Sequence, residues 1–84
     1  MAEKLVGKIT HYFGNIGVGI VKLEKGEIKI GSKIKIKTHE GEFEQEVVSM
    51  QADHKDITSA KGGEEFGTKL EQKAHEGNEV FLME

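Results

Sequence analysis

Apolar and polar residues alternate along much of this chain with a period of two. That is the spacing of a strand with one buried face, not the 3.6 of an amphipathic helix. The clearest run is EIKIGSKIKIK, residues 27–37, where Ile28, Ile30, Ile34 and Ile36 alternate with Lys29, Lys35 and Lys37. Isoleucine then faces inward and lysine outward. Gly31-Ser32 interrupts the run and predicts a bulge or corner where the strand bends. The same pattern predicts strands over 4–13, 16–23, 27–37, 43–52, 64–71 and 78–83, separated by GN, EKG, THEGE, DHKDITSAKGG and KAHEGN. Segment 54–61 fits either a short strand around Ile57 or one helical turn. Short strands at this spacing predict an all-β domain spanning 1–84. At this size a small closed antiparallel Greek-key β-barrel of about six or seven strands best removes exposed strand edges.

Within YFGNIGVGIVKL, residues 12–23, Gly14, Gly17 and Gly19 crowd beside an apolar run. A dinucleotide loop needs the order G-x-G-x-x-G before a helix. Here the order differs, the following VGIVKL is rich in β-branched residues, and the Lys-Ser/Thr ending of a triphosphate loop is absent. Gly14-Asn15 instead predicts a two-residue hairpin turn between Phe13 and Ile16. Gly17 and Gly19 then share the inner face with Val21 and Leu23, leaving Ile16, Val18 and Ile20 on the other. A strand apolar on both sides is usually covered on both. Cover by the 53–63 loop is the simpler expectation. Otherwise these three residues mark a protein-docking surface.

Composition narrows the function classes. A chain of 84 residues buries only about 60–65% of its unfolded surface, and with no cysteine neither disulfides nor thiolate zinc sites reinforce the core. No run approaches membrane-spanning length and the start is not signal-like, so a soluble cytoplasmic protein is expected. The net charge of −3 is uneven. Residues 1–42 hold eight lysines against five acids, and residues 43–84 hold four against ten. There is no arginine, so no bidentate grip on phosphate or guanine is available.

His11, His39, His54 and His75 are spaced unlike any metal motif, so no metal or other cofactor is expected. Glu40, Glu42, Glu44 and Glu46 alternate along a turn and strand. They read as a solvated face able to pair across the sheet with lysines, since no nucleophile, metal set or oxyanion loop accompanies them. No catalytic residue is assigned, and the chain is expected not to be an enzyme. Lys22, Lys25, Lys29, Lys33, Lys35 and Lys37 place half of the twelve lysines within sixteen residues. Alternate lysines on a strand lie about 6.5–7 Å apart, a spacing suited to following a nucleic-acid backbone. Ordinary solubilisation and edge protection are the competing reading.

VGKITHYFGNIGVGIVKLEKGEIKIGSKIKI resembles the opening of the second domain of translational GTPases, the β-barrel of elongation factor Tu and of the initiation factor that delivers initiator tRNA. Ile28-Lys29-Ile30-Gly31-Ser32-Lys33-Ile34 fits that family's apolar-x-apolar-Gly-x-x-apolar signature, with Ser32 where an acid is common. VVSMQ, ITSAKGGEEFGTKL and HEGNEVF continue the likeness, which is nearest to short stand-alone elongation-factor-like proteins. Similar barrels also end some collagenase-type peptidase relatives. The GTP-binding domain is missing, so the resemblance implies no GTPase activity and no bound GTP.

It implies instead a module for protein biosynthesis that binds tRNA, rRNA or the ribosome. No contact residue carries over from the family, and the candidates Lys22, Lys29, Lys33, Lys35 and Lys37 come from the lysine clustering and spacing. The alternative is a protein-interaction module or accessory subunit docking through Ile16, Val18 and Ile20, with a peptidase-like partner as one option.

Overall fold

The computed structural model describes residues 3–83, and among them every regular element is a strand. In chain order these are β1 (Glu3–Phe13), β2 (Val18–Leu23), β3 (Glu27–Lys29), β4 (Lys33–Thr38), β5 (Gly41–Glu46), β6 (Gln51–Ala52), β7 (Lys55–Asp56), β8 (Ser59–Lys61), β9 (Glu65–Lys69) and β10 (Glu79–Met83). The ladders are antiparallel throughout. Eight strands form one sheet in the order β5-β4-β10-β1-β2-β9-β6-β7, and β3 pairs with β8 in a separate ribbon. The all-β expectation holds. Six or seven strands become ten, because the 27–37 and 43–52 runs each divide and 54–61 contributes two short strands.

The ladder order does not close into a cylinder: β5 and β7 are its two ends. Side-chain bonds instead tie β5 and the segment after it to β9 and its continuation. Gln45, buried on β5, donates from Nε2 to the Lys69 carbonyl at 2.8 Å and accepts at Oε1 from the Glu71 amide at 2.8 Å. The Thr68 hydroxyl donates to the Ser49 carbonyl at 2.8 Å. Among the described residues no buried side-chain polar atom lacks a partner, as a thin core requires.

The division of the 27–37 run has a local cause. Gly31 takes φ +94, Ser32 donates its amide back to the Lys29 carbonyl, and Gly31 donates to Val47. The chain therefore leaves the β3–β8 ribbon and enters β4 in the large sheet. Ile28, Ile34 and Ile36 are fully buried, but Ile30, expected inward, is 42% exposed because it sits in this corner.

A second correction concerns the first hairpin. The turn spans residues 14–17, with Phe13 opposite Val18, and the Phe13 carbonyl accepts from the Ile16 and Gly17 amides. Gly17 is the residue at positive φ, +69. Ile16 thus belongs to a four-residue turn and not to the strand.

One apolar cluster fills the space between the sheet and the ribbon. It includes Val6, Ile9, Val21, Leu23, Ile28, Ile34, Ile36, Met50, Phe66 and Val80. Each such side chain contributes about 1.5–3 kcal/mol on full burial. No helix among the described residues is long and apolar enough to cross a membrane.

Candidate functional site

The outward face of the large sheet differs along its length. At the β5-β4-β10 end, Lys33, Lys35 and Lys37 stand opposite Glu46, Glu44 and Glu42, so the alternating glutamates do face the alternating lysines. Lys35 is the extreme case. Its side chain is only 9% exposed, lies between Glu3 and Glu42 (3.5 Å to the latter), and holds its ammonium 5.5 Å above the Phe81 ring. The hydrogen bond to Glu3 raises the Lys35 pKa above its usual 10.5; burial opposes that shift, and the fields of both carboxylates add to it. Lys22 lies on β2 opposite Lys8 and Glu65, and Lys29 ends β3 in the other sheet. The five candidate lysines therefore occupy three strands of two sheets, with Lys35 buried. They do not form one exposed stripe.

At the β1-β2-β9 end, beyond the Lys8, Lys22 and Glu65 row, the same face is apolar. A bulge in β1 between Ile9 and His11 sets Thr10 outside the regular pairing with β2. Ile9 stays buried and Tyr12 packs on the core, while His11 and Phe13 are exposed on the other face. Phe13 is 40% exposed, Ile16 is 59% exposed, and Val18 and Ile20 are half-buried.

Gly67 on β9 pairs with Ile20. A Cβ at Gly67 would lie 3.2 Å from Ile20 Cδ1 and 3.5 Å from Val18 Cγ1. Ile20 and Val18 therefore pack directly over the bare backbone of Gly67, and beside them lies a groove of about 730 Å³ whose apolar lining is Phe13, Ile16, Val18 and Ile20. That volume lies within the range of ligand sites, roughly 300–1,000 Å³. The three residues expected as a docking surface are thus brought together.

The 53–63 segment does not cover them. Ser59–Lys61 is drawn away to pair with Glu27–Lys29, and only the β6–β7 turn reaches the groove. In that turn Asp53 and His54 adopt φ of 52° and 63°, both left-handed. Such a two-residue hairpin turn normally favours Asn-Gly, and Asp and His rank among the side chains that tolerate the conformation.

The rim is polar. Thr10 Oγ1 donates to Glu65 Oε2 at 3.0 Å, and Gln51 Nε2 to Asp56 Oδ1 at 3.2 Å. The His11 ring lies 4.9 Å from that of Phe13, tilted by 52°, with Nδ1 3.5 Å from Glu76. Phe13, His11, Asp53, His54, Glu65 and Gly67 were not assigned to any site from the sequence. Only the bulge and the β9 pairing bring them together, and neither leaves a local signal. Among the described residues no group of three or more His, Asp or Glu side chains is placed to hold a metal ion.

Comparison with known proteins changes the family assignment. No protein-family model matches this sequence. The "Uncharacterized protease MJ0090" of Methanocaldococcus jannaschii is 38% identical over 80 residues, which is 93% of this chain and 19% of that protein. The chain thus spans about a fifth of the length of this curated relative.

Two crystal structures of the C-terminal domain of a Geobacillus thermoleovorans "putative U32 peptidase" share the fold. One gives a TM-score of 0.87 at 13% identity, covering 96% of this chain and 93% of that chain. Its selenomethionine variant gives 0.84 at 15%, covering 92% and 96%. At that identity the likeness is one of fold.

The resemblance to the translational GTPase barrel is therefore overturned, and with it the elongation-factor and protein-biosynthesis reading. The signature that carried it has a structural explanation. Ile28 and Ile34 fill the core, and Gly31 turns the corner between them. A small β fold that bends a strand between two sheets needs that pattern whatever it binds.

Proposed function

We propose that this chain is a non-catalytic interaction domain whose partner is a peptidase-like protein. One observation carries this reading: the fold covers nearly all of a domain that forms the C-terminal part of a peptidase-named protein. The 38% identity to one segment of a protease, confined to 19% of that protein, supports the same context. The uncovered apolar strip of Phe13, Ile16, Val18 and Ile20 supports a docking role, since single exposed apolar residues are ordinary but contiguous ones mark contact surfaces. The outward carboxylates support a structural role for themselves, because they stand opposite lysines in register.

The test is reconstitution. A peptidase-like protein co-purifying with the tagged chain from its native cell is re-expressed and mixed with the pure chain. A defined complex that survives ribonuclease is expected, together with no hydrolysis of peptides by the chain alone. Failure of every such candidate to bind in purified form contradicts the partner assignment. Turnover by the chain alone contradicts the non-catalytic one.

A further inference from the structure

We infer that the groove on β1, β2 and β9 takes a basic, apolar segment of its protein partner: one or two large apolar side chains flanked by lysine or arginine. This rests on the interaction reading above and adds the chemistry of the occupant.

The inference begins from what lines the groove. Twelve of the 84 residues are lysine, yet none lines it, whereas Asp53 and Glu65 do, beside His11 and His54. Lys22 stands opposite Glu65 on β2 without reaching the lining. The two carboxylates come from different elements, Asp53 from the β6–β7 turn and Glu65 from the start of β9. Thr10 holds Glu65 in place through its hydroxyl. The left-handed backbone at residues 53 and 54 belongs to the turn that carries Asp53. An apolar floor between two carboxylates complements an apolar side chain with a cation beside it. It repels an acidic segment or a phosphate backbone, because like charges across an interface act against wrong partners.

The mode of entry follows from the pairing. Strand addition needs an open edge. At Gly67 the far side of β9 is already occupied by Gln51. The occupant therefore enters through its side chains, against the apolar floor that Phe13, Ile16, Val18 and Ile20 form.

The experiment uses the ¹⁵N-labelled full chain and two synthetic probes, Ac-Lys-Leu-Phe-Lys-NH₂ and Ac-Glu-Leu-Phe-Glu-NH₂, followed by amide chemical shifts at two salt concentrations. The lysine peptide is expected to move the amides of Val18, Ile20, Gln51 and Gly67, and to bind roughly fivefold more tightly than the glutamate peptide, with the gap narrowing in salt. The Asp53→Asn/Glu65→Gln variant is expected to abolish that preference while leaving the apolar contact. Gly67→Val, whose side chain would push Ile20 and Val18 out of the floor, is expected to remove binding of both peptides, with unperturbed shifts elsewhere reporting an intact fold.

Equal binding of the two peptides, shifts confined to another face, or no shifts at all overturns the inference. So does concentration-dependent movement of the same amides without peptide, which assigns the groove to a second copy of the chain. The two proposals fail separately. A peptidase complex insensitive to Asp53→Asn/Glu65→Gln sinks this one alone. Selective groove binding by the lysine peptide without any peptidase complex sinks the partner assignment alone.

Discussion

The two ends of one sheet face treat outward side chains in opposite ways. Along β5, β4 and β10, each lysine meets an acid from a neighbouring strand, and Lys35 is enclosed by Glu3, Glu42 and Phe81. Along β1, β2 and β9, Phe13, Ile16, Val18 and Ile20 meet the bare backbone of Gly67 and no covering segment. The first region satisfies its own chemistry within the molecule. The second leaves apolar surface that only something else can bury. A charge-rich strand pair thus signals internal complementarity here, and the quieter apolar end is the better candidate for contact.

The contrast breaks most severely at Lys35. Lys35→Glu would set a third carboxylate beside Glu3 and Glu42 with no cation, and is expected to give the largest fall in urea midpoint of these variants. Insensitivity to this change would show that the enclosed cation contributes little.

Next in size is Ile16→Asp at the other end. It is expected to weaken the peptidase-like complex roughly tenfold, or about 1.4 kcal/mol, while unfolding stability moves by no more than about 0.5 kcal/mol. A large loss of stability with unchanged binding would reverse the assignment of the two regions.

Alkaline pH sharpens the same comparison. The folded-state pKa of Lys35 is raised above its usual 10.5, so its stabilisation is fully present below the unfolded value. It fades as pH climbs through the raised folded value. Denaturant midpoints of the parent chain, followed upward from pH about 10, are expected to fall more steeply than those of Lys35→Met. Parallel curves would remove Lys35 as the source.

The β6–β7 turn offers a smaller effect. His54→Gly relieves the left-handed backbone at φ 63 and is expected to stabilise slightly, because strain of about 1–2 kcal/mol exceeds the roughly 0.4–1 kcal/mol that glycine's added freedom gives the unfolded chain. Destabilisation would mean that the histidine side chain itself supports the groove wall. Smallest is the surface pair: Lys33→Glu alone is expected to lose about 0.2–1 kcal/mol, and Lys33→Glu with Glu46→Lys to recover it. Failure of the double variant to recover would show that the charges stand opposite without coupling.

Much of the fold was legible because period-two alternation reports a physical demand. Ile28, Ile34, Ile36, Val21 and Leu23 are inward as expected, since each must leave water while its neighbours stay in it. The lysine–glutamate pairing was legible for the same reason. Errors gathered where chain direction changes. Ile30 looked like another inward isoleucine until the Gly31 corner placed it outside, and a two-residue turn became four once Gly17 took the left-handed conformation. The candidate site was half legible. Ile16, Val18 and Ile20 were readable as a second apolar face, but Phe13, Asp53, Glu65 and Gly67 reach them only through a bulge and a long-range strand pairing.

The order of apolar and polar residues, by itself, determined that this chain forms antiparallel strands around one apolar cluster, because burial free energy acts on each side chain locally along the strand. Whether the sheet closes, which segment covers which face, and which residues share a groove were decided only in three dimensions. Those outcomes depend on pairings between strands distant in sequence: β10 between β1 and β4, β8 with β3, and Gln51 with Gly67. Hydrogen-bond partners of that kind compete on nearly equal terms until the whole core is packed.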